Sequence, residues 1–119
     1  MTLALQLPFP PSVNSYWRTV SIKGKNRTLI SAKGRQYRID VLAASLQHRG
    51  CFGPDKRLSV TAEFRRKDRR RYDLDNFTKA MLDGIQHAGV YADDGQIDQL
   101  TLARGTVGDD CVVVWICEV

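Results

Sequence analysis

Two aspartates one residue apart, Asp73 and Asp75, follow directly on the most cationic stretch of the chain, Lys67-Asp68-Arg69-Arg70-Arg71-Tyr72. Oxygen-only ligands on alternate residues suit a hard divalent cation such as Mg²⁺ that keeps several of its waters. A run of cations collects the phosphates of a nucleic acid. If residues 73–75 are extended, alternate side chains point the same way, so Asp73 and Asp75 reach a common ion while Leu74 turns into the core. Two carboxylates alone hold Mg²⁺ weakly, and of the pair Asp93-Asp94 beyond the next predicted helix, Asp94 is the preferred third ligand. Lys79 follows Asp75 by four residues, which on a helix puts it about 6 Å along the axis on the same side. An ammonium there can reach a metal-bound phosphate. The chemistry this constellation fits is in-line attack of water on a phosphodiester, with Lys79 neutralising developing charge and no protein nucleophile needed.

Each of these features also has a plainer reading. Asp75 can be a helix cap, Asp75 and Lys79 a helical ion pair, and Asp94-Gly95 a turn. Their coincidence beside the basic run favours the chemical reading. A calcium-binding EF-hand is disfavoured, because Phe77 and Thr78 fall on a ligand position and on the position that demands glycine. No P-loop and no nucleophile elbow occurs.

The 18 Lys and Arg outnumber the 13 Asp and Glu, for a formal charge of +5, which makes polyanions the natural class of partner. The excess is concentrated: Arg65, Arg66, Lys67, Arg69, Arg70 and Arg71 are broken only by Asp68. Lys67, Arg69, Arg70 and Arg71 are the candidate DNA contacts. The 3 cysteines, without a C-x-x-C pair, indicate neither a disulfide scaffold nor a zinc site. No window approaches the ~20 apolar residues of a membrane span, and no charged leader precedes an apolar run, so a soluble cytoplasmic protein is expected.

The elements that must position these groups can be read in order. Thr2 to Leu7 alternates as a strand and stops at Pro8, Pro10 and Pro11; the Ser12–Arg18 stretch reads as an ordered, partly buried loop or as an aromatic platform. Ser21 to Ile30 reads as a hairpin with a basic tip. Ser31 is the predicted cap of a helix running to His48 and stopped by Gly50. Its stripe is Tyr37, Val41, Leu42 and Ala44, broadened by Ile39 and Leu46, with Lys33, Arg35 and Arg38 outward. Leu58 to Phe64 alternates cleanly and delivers the chain to the basic run. A second helix is predicted over Asn76 to Ala88, with Asp75 capping or just preceding it and Gly89 closing it. Ile97 to Ala103 reads as a strand. The nearly continuous apolar run Cys111 to Val119 demands a central strand or one covered on both faces. Together the 119 residues read as a single α+β domain, one mixed β-sheet packed by two main helices. So small a domain that handles a large substrate is expected to work as a homodimer.

The segment Asp68-Arg69-Arg70-Arg71-Tyr72-Asp73-Leu74-Asp75-Asn76, with Lys79 and Asp93-Asp94, resembles the signature of the RusA-type Holliday junction resolvases, endodeoxyribonucleases of bacteria and their prophages. The opening Leu7-Pro8-Phe9-Pro10-Pro11-Ser12-Val13-Asn14, through Tyr16-Trp17, resembles that family's start. The resemblance implies a Mg²⁺-dependent homodimer, Mn²⁺ being a possible substitute, that binds four-way branched DNA and nicks two opposed strands symmetrically. It carries the acidic triad onto Asp73, Asp75 and Asp94 as catalytic metal ligands, and the essential lysine onto Lys79. Tyr72 stands where the family often continues its arginines. No residue here identifies base readout, so a cut-site preference does not transfer. The rival readings are a less selective metal nuclease acting on branched DNA and a noncatalytic DNA-binding module.

Overall fold

The computed structural model describes residues 2–119. Its centre is the apolar C-terminal strand. Strand β1 (Thr2–Pro8), β4 (Leu58–Arg65), β5 (Ile97–Arg104) and β6 (Cys111–Glu118) form one sheet in the order β1-β6-β4-β5. β6 pairs antiparallel with both β1 and β4, and β4 pairs parallel with β5. The run of valines at residues 112–114 therefore belongs where the reading put it, between two other strands. Alternation survives within it: Val112, Val114 and Ile116 are buried, while Val113, Trp115 and Cys117 are half-buried on the opposite face.

The buried face of the sheet carries Leu3, Leu5 and Leu7 from β1 and Leu58, Val60, Ala62 and Phe64 from β4. These pack in a common core with Tyr37 and Val41 of helix α2 (Ala32–Ser45) and with Met81 and Ile85 of helix α3 (Thr78–His87). The alternating segments 2–7 and 58–64 are thus strands with one face on the core, the pattern that a half-buried strand requires. α3 links the two parallel strands, as a parallel pair needs a crossover.

A second sheet is only the hairpin of β2 (Trp17–Ile22) and β3 (Lys25–Ile30), which starts four residues before the predicted hairpin and is turned by Lys23 and Gly24, both at positive φ (53° and 76°). Two consecutive left-handed residues give the turn whose twist matches paired strands, and glycine accepts that conformation without strain. Before the hairpin, the 12–18 stretch holds one helical turn, α1 (Val13–Tyr16), capped by Ser12, and Tyr16 is fully buried. It is an ordered, partly buried connector, with Tyr16 inside and Trp17 half-buried against it, and not an open aromatic platform.

Ser31 caps α2 as expected, its hydroxyl accepting from the Gly34 N–H at 3.0 Å. The helix ends at Ser45 and tightens into a 3₁₀ turn, Leu46–His48. Its apolar stripe is narrower than predicted: Ile39 (58% exposed), Leu46 (60% exposed) and Ala44 lie outside it. Arg38, expected outward, turns to Asp83 of α3 at 2.7 Å, and its Nε donates to the Tyr16 hydroxyl at 2.9 Å, while Tyr16 donates to the same carboxylate. Burial first, then the bond to Asp83, pushes the Tyr16 phenol up to about 12, so at neutral pH it stays a donor and the three side chains lock α1, α2 and α3 together.

Candidate active site

The parallel register of β4 and β5 makes the site possible, because Phe64 lies opposite Arg104 and both strands finish at one edge of the sheet. β1 ends and β6 begins there too, with Pro8 opposite Cys111 and Cys111 opposite Arg65. The basic run leaves from the end of β4, and the β5–β6 loop faces it. Between them lies a cavity of about 670 Å³ whose lining includes Arg66, Arg69, Arg70, Arg71 and Arg104, with Asp68 the one acidic residue. Arg70 hydrogen-bonds Asp68 with its guanidinium at 2.8 Å and with its main-chain N–H at 3.0 Å. Those two bonds, side chain first, hold the Asp68 carboxyl well below the usual carboxylate range. It stays ionised and paired, and the cavity stays positive.

Behind this surface Arg66 is folded inward. Its guanidinium stands over the Phe9 ring at 4.2 Å and near those of Phe77 (5.3 Å) and Tyr72 (5.4 Å), which meet one another edge to face. Its Nε is buried with no hydrogen-bond partner among the described residues, and an Nη approaches Asp110 at 3.7 Å. Cation–π attraction offsets part of that desolvation. Here the Leu7-Pro8-Phe9 opening and the Tyr72–Phe77 segment, far apart in the chain, become one structure.

The carboxylates sit at two short turns, one preceding and one following α3 in the chain. Asp73 is extended, but Leu74–Phe77 forms a 3₁₀ turn, with the Asn76 N–H bonded to the Asp73 carbonyl at 3.2 Å. The premise of an extended 73–75 segment is corrected by this turn, and strand alternation does not place Asp73 and Asp75 side by side. Nor does Asp75 cap α3: the residue before the helix is Phe77, without a side-chain cap, and Asp75 contributes its carbonyl to the Thr78 N–H. Leu74 still packs against the core. The aspartates flanking it are exposed.

Beyond α3, the chain forms the 3₁₀ turn Asp94–Gln96, capped by Asp93 and closed by a capping box with Gln96. Gln96 is buried; its amide nitrogen donates to the carbonyls of Gly53 (2.8 Å) and Lys56 (2.9 Å), and its oxygen accepts from the Ala92 and Asp93 N–H groups (2.9 Å each). The Asp94 N–H donates to Gln86 of α3 at 2.9 Å. Gln86 and Lys79 are seven residues apart, on one face of that helix. Asp94 lies along this face, and Lys79 Nζ meets its carboxylate at 3.6 Å. The ion pair that Lys79 makes is therefore with Asp94 and not with Asp75.

Lys79 and Asp94 are thus brought together, whereas the three aspartates are not gathered into a ready cage: among the described residues no group of three His, Cys, Asp or Glu side chains converges as metal ligands do. Asp75 precedes α3 and the 93–96 turn follows it in the chain, and that turn folds back along the helix far enough for Asp94 to meet Lys79 of the first helical turn. Unscreened carboxylates also repel, by about 1 kcal/mol per pair at 4 Å in water. The donor chemistry nevertheless fits a hard divalent cation. All three candidate residues are carboxylates, with Asp73 and Asp75 exposed, so gathering them around an ion would require little new desolvation.

Sequence reasoning missed the supports. The Asp93…Gln96 spacing carried a capping-box signal that names Gln96; Arg66 stood in the basic run but its inward turn onto the aromatic rings was not signalled, and Gln86 and Arg104 act through contacts distant in sequence and gave none.

A basic cavity, followed in the chain by exposed carboxylates and a lysine, at one end of the sheet of an α+β domain, is an arrangement suited to a phosphodiester backbone. Comparison with known proteins makes this specific. Residues 8–116 match the family described as Endodeoxyribonuclease RusA. The chain is 39% identical over 99 residues to the crossover junction endodeoxyribonuclease of Enterobacteria phage HK97, covering 83% of this chain and 79% of that protein. It is 38% and 36% identical over 96 residues to the proteins of the same description from Shigella sonnei and Escherichia coli K12, each match covering 81% of this chain and 77% of the relative. The chain belongs to the RusA endodeoxyribonuclease family. It is a nuclease that hydrolyses the phosphodiester bonds of DNA.

Proposed function

We propose that the protein resolves Holliday junctions, cutting four-way branched DNA by paired, symmetric nicks as a homodimer in recombination and repair. The observation that carries this reading is the juxtaposition of Lys79 with Asp94 at 3.6 Å, next along the chain from Asp73, Asp75 and the arginine-lined cavity. The relatives' description as crossover junction endodeoxyribonucleases supports the choice of substrate. Among the described residues no helix is long and apolar enough to cross a membrane, and an enzyme of DNA recombination belongs in the cytoplasm.

Asp73, Asp75 and Asp94 are the residues that would hold a divalent metal, with Mg²⁺ the ion proposed and Mn²⁺ an acceptable substitute. When bound, such an ion supplies a Lewis acid and an acidified water for phosphodiester hydrolysis. The chain's own groups do the rest. Lys67, Arg69, Arg70 and Arg71 attract and orient the backbone, releasing counterions as they bind. The Lys79 ammonium, half exposed and on a rigid helix, neutralises charge that builds on the phosphate oxygens.

The test is a synthetic immobile four-way junction, incubated with and without Mg²⁺, with cuts mapped on all four strands. Two symmetric nicks that need the metal are expected, together with Asp75→Asn protein that binds the junction undiminished yet does not nick. Equal cutting of a fork built from the same arms would favour a less selective branched-DNA nuclease. Nicking retained by Asp75→Asn would remove that residue from the mechanism.

A further inference from the structure

We propose that the cavity between residues 66–72 and the β5–β6 loop seats the phosphate backbone of a DNA strand, with Arg104 both its contact from the far wall and the clamp on the main chain just before Asp73. Arg104 closes β5, opposite Phe64 in the register, so a rigid paired strand delivers it to the cavity. Its Nη1 donates to the Tyr72 carbonyl at 2.8 Å, and its Cζ lies 4.5 Å from the centre of the Tyr72 ring. That carbonyl belongs to the peptide bond that joins Tyr72 to Asp73. One side chain therefore grips both the ring and the main chain of the residue preceding a proposed ligand.

The grip leaves most of the guanidinium unused. Arg104 is exposed, and the Tyr72 carbonyl is its one protein hydrogen-bond acceptor among the described residues. A guanidinium carries five N–H donors in a planar fork suited to phosphate. Across the cavity stand Arg69 and Arg71, while Arg70 is occupied with Asp68. A volume of about 670 Å³ is too large for a single phosphate and is lined with cations on both walls, as a strand laid through a trough would need. The β5–β6 loop thus becomes part of the substrate surface, with Val107 (49% exposed) the apolar element of that wall.

This inference rests on the reading of the protein as a junction nuclease, and the experiment separates the two. Binding is followed by fluorescence anisotropy without divalent metal, on a four-way junction and on an uncut linear duplex, over a series of salt concentrations. Arg104→Gln keeps a donor for the Tyr72 carbonyl but loses the charge, and it is expected to flatten the slope of log K against log salt by about one on both DNAs. Arg104→Lys keeps the charge and should keep the slope, yet a lysine cannot both hold the carbonyl and stack on the ring. Its single-turnover nicking at saturating enzyme is therefore expected to fall about tenfold with binding unchanged, an orientation effect. A wild-type slope for Arg104→Gln overturns the seat, and wild-type nicking by Arg104→Lys overturns the clamp. If the wild-type protein neither prefers nor cuts junctions, it is the function proposed above that fails, and the linear-duplex slopes still decide the seat.

Discussion

Lys79 carries two possible meanings that a stability measurement separates from a rate measurement. Its contact with Asp94 is an ion pair with the lysine side chain 52% exposed; such pairs are worth about 0–1 kcal/mol, so replacing it should hardly move the unfolding midpoint. As the cation that meets the reacting phosphate, its loss should matter far more. Lys79→Ala is expected to slow single-turnover nicking on the order of a hundredfold, the size seen when one preorganised charge-stabilising group is removed, with junction affinity altered less than about threefold. Chemical denaturation alongside rapid-quench kinetics checks both halves. A large stability loss with little change in rate would reduce Lys79 to a helix-turn strut. The residue types and their order stand in the sequence itself, and it is the coincidence of Asp73, Asp75, Lys79 and Asp94 beside the arginine run, not any one of them, that singled them out. The partner of Lys79 was not, since i,i+4 spacing names Asp75 whereas the pairing depends on how the 93–96 turn folds back along α3.

At the level of the element, legibility followed how local the cause was. β4 alternates perfectly in burial because one face meets the helices and the other meets solvent, and its sequence reports that directly. The 74–77 segment reads equally well as strand end or helix start; only packing of Leu74 and Phe77 on the core resolves it into a 3₁₀ turn. In α2, apolar Ile39 and Leu46 broadened the apparent stripe although they face solvent, and Arg38 was read as outward because its partner, Asp83, belongs to another helix. Gly34 shows why that helix lies where it does. A Cβ there would come within 2.6 Å of the Tyr16 carbonyl oxygen and 2.7 Å of Ile30 Cγ1, so α2 approaches the α1 connector more closely than any other residue permits. Alanine would gain roughly 1 kcal/mol of helix propensity, but overpacking against main chain costs about 1–3 kcal/mol or more, and the clash is the larger effect. Gly34→Ala should therefore lower the urea midpoint, through a net stability loss of up to about 2 kcal/mol, where an exposed helical Gly→Ala would raise it.

For the whole molecule, the sheet has a second face that no helix covers among the described residues. Both helices contribute to the core on the Leu5, Val60 and Val114 side, leaving Val113, Trp115 and Cys117 of the central strand half-buried beside Ala4 of β1. A two-fold axis across such a face would make a self-complementary contact, since the same patch meets itself. It would also present two sets of Asp73, Asp75, Asp94 and Lys79 to two equivalent strands, which is what paired nicking needs. On this proposal sedimentation at micromolar concentration should give twice the 13.4 kDa chain mass. Trp115→Lys, which would place two like charges against each other across the axis, should shift the protein to monomer while leaving the unfolding transition of the chain cooperative. The functional consequence is visible on a supercoiled plasmid that extrudes a cruciform. A dimer cuts both strands within one encounter and yields linear product directly, whereas a monomer must dissociate between cuts, so nicked circles accumulate first. A Trp115→Lys protein that remains dimeric and linearises the plasmid as fast as the parent would move the dimer contact off this face, to the sheet edge or to the exposed side of α2.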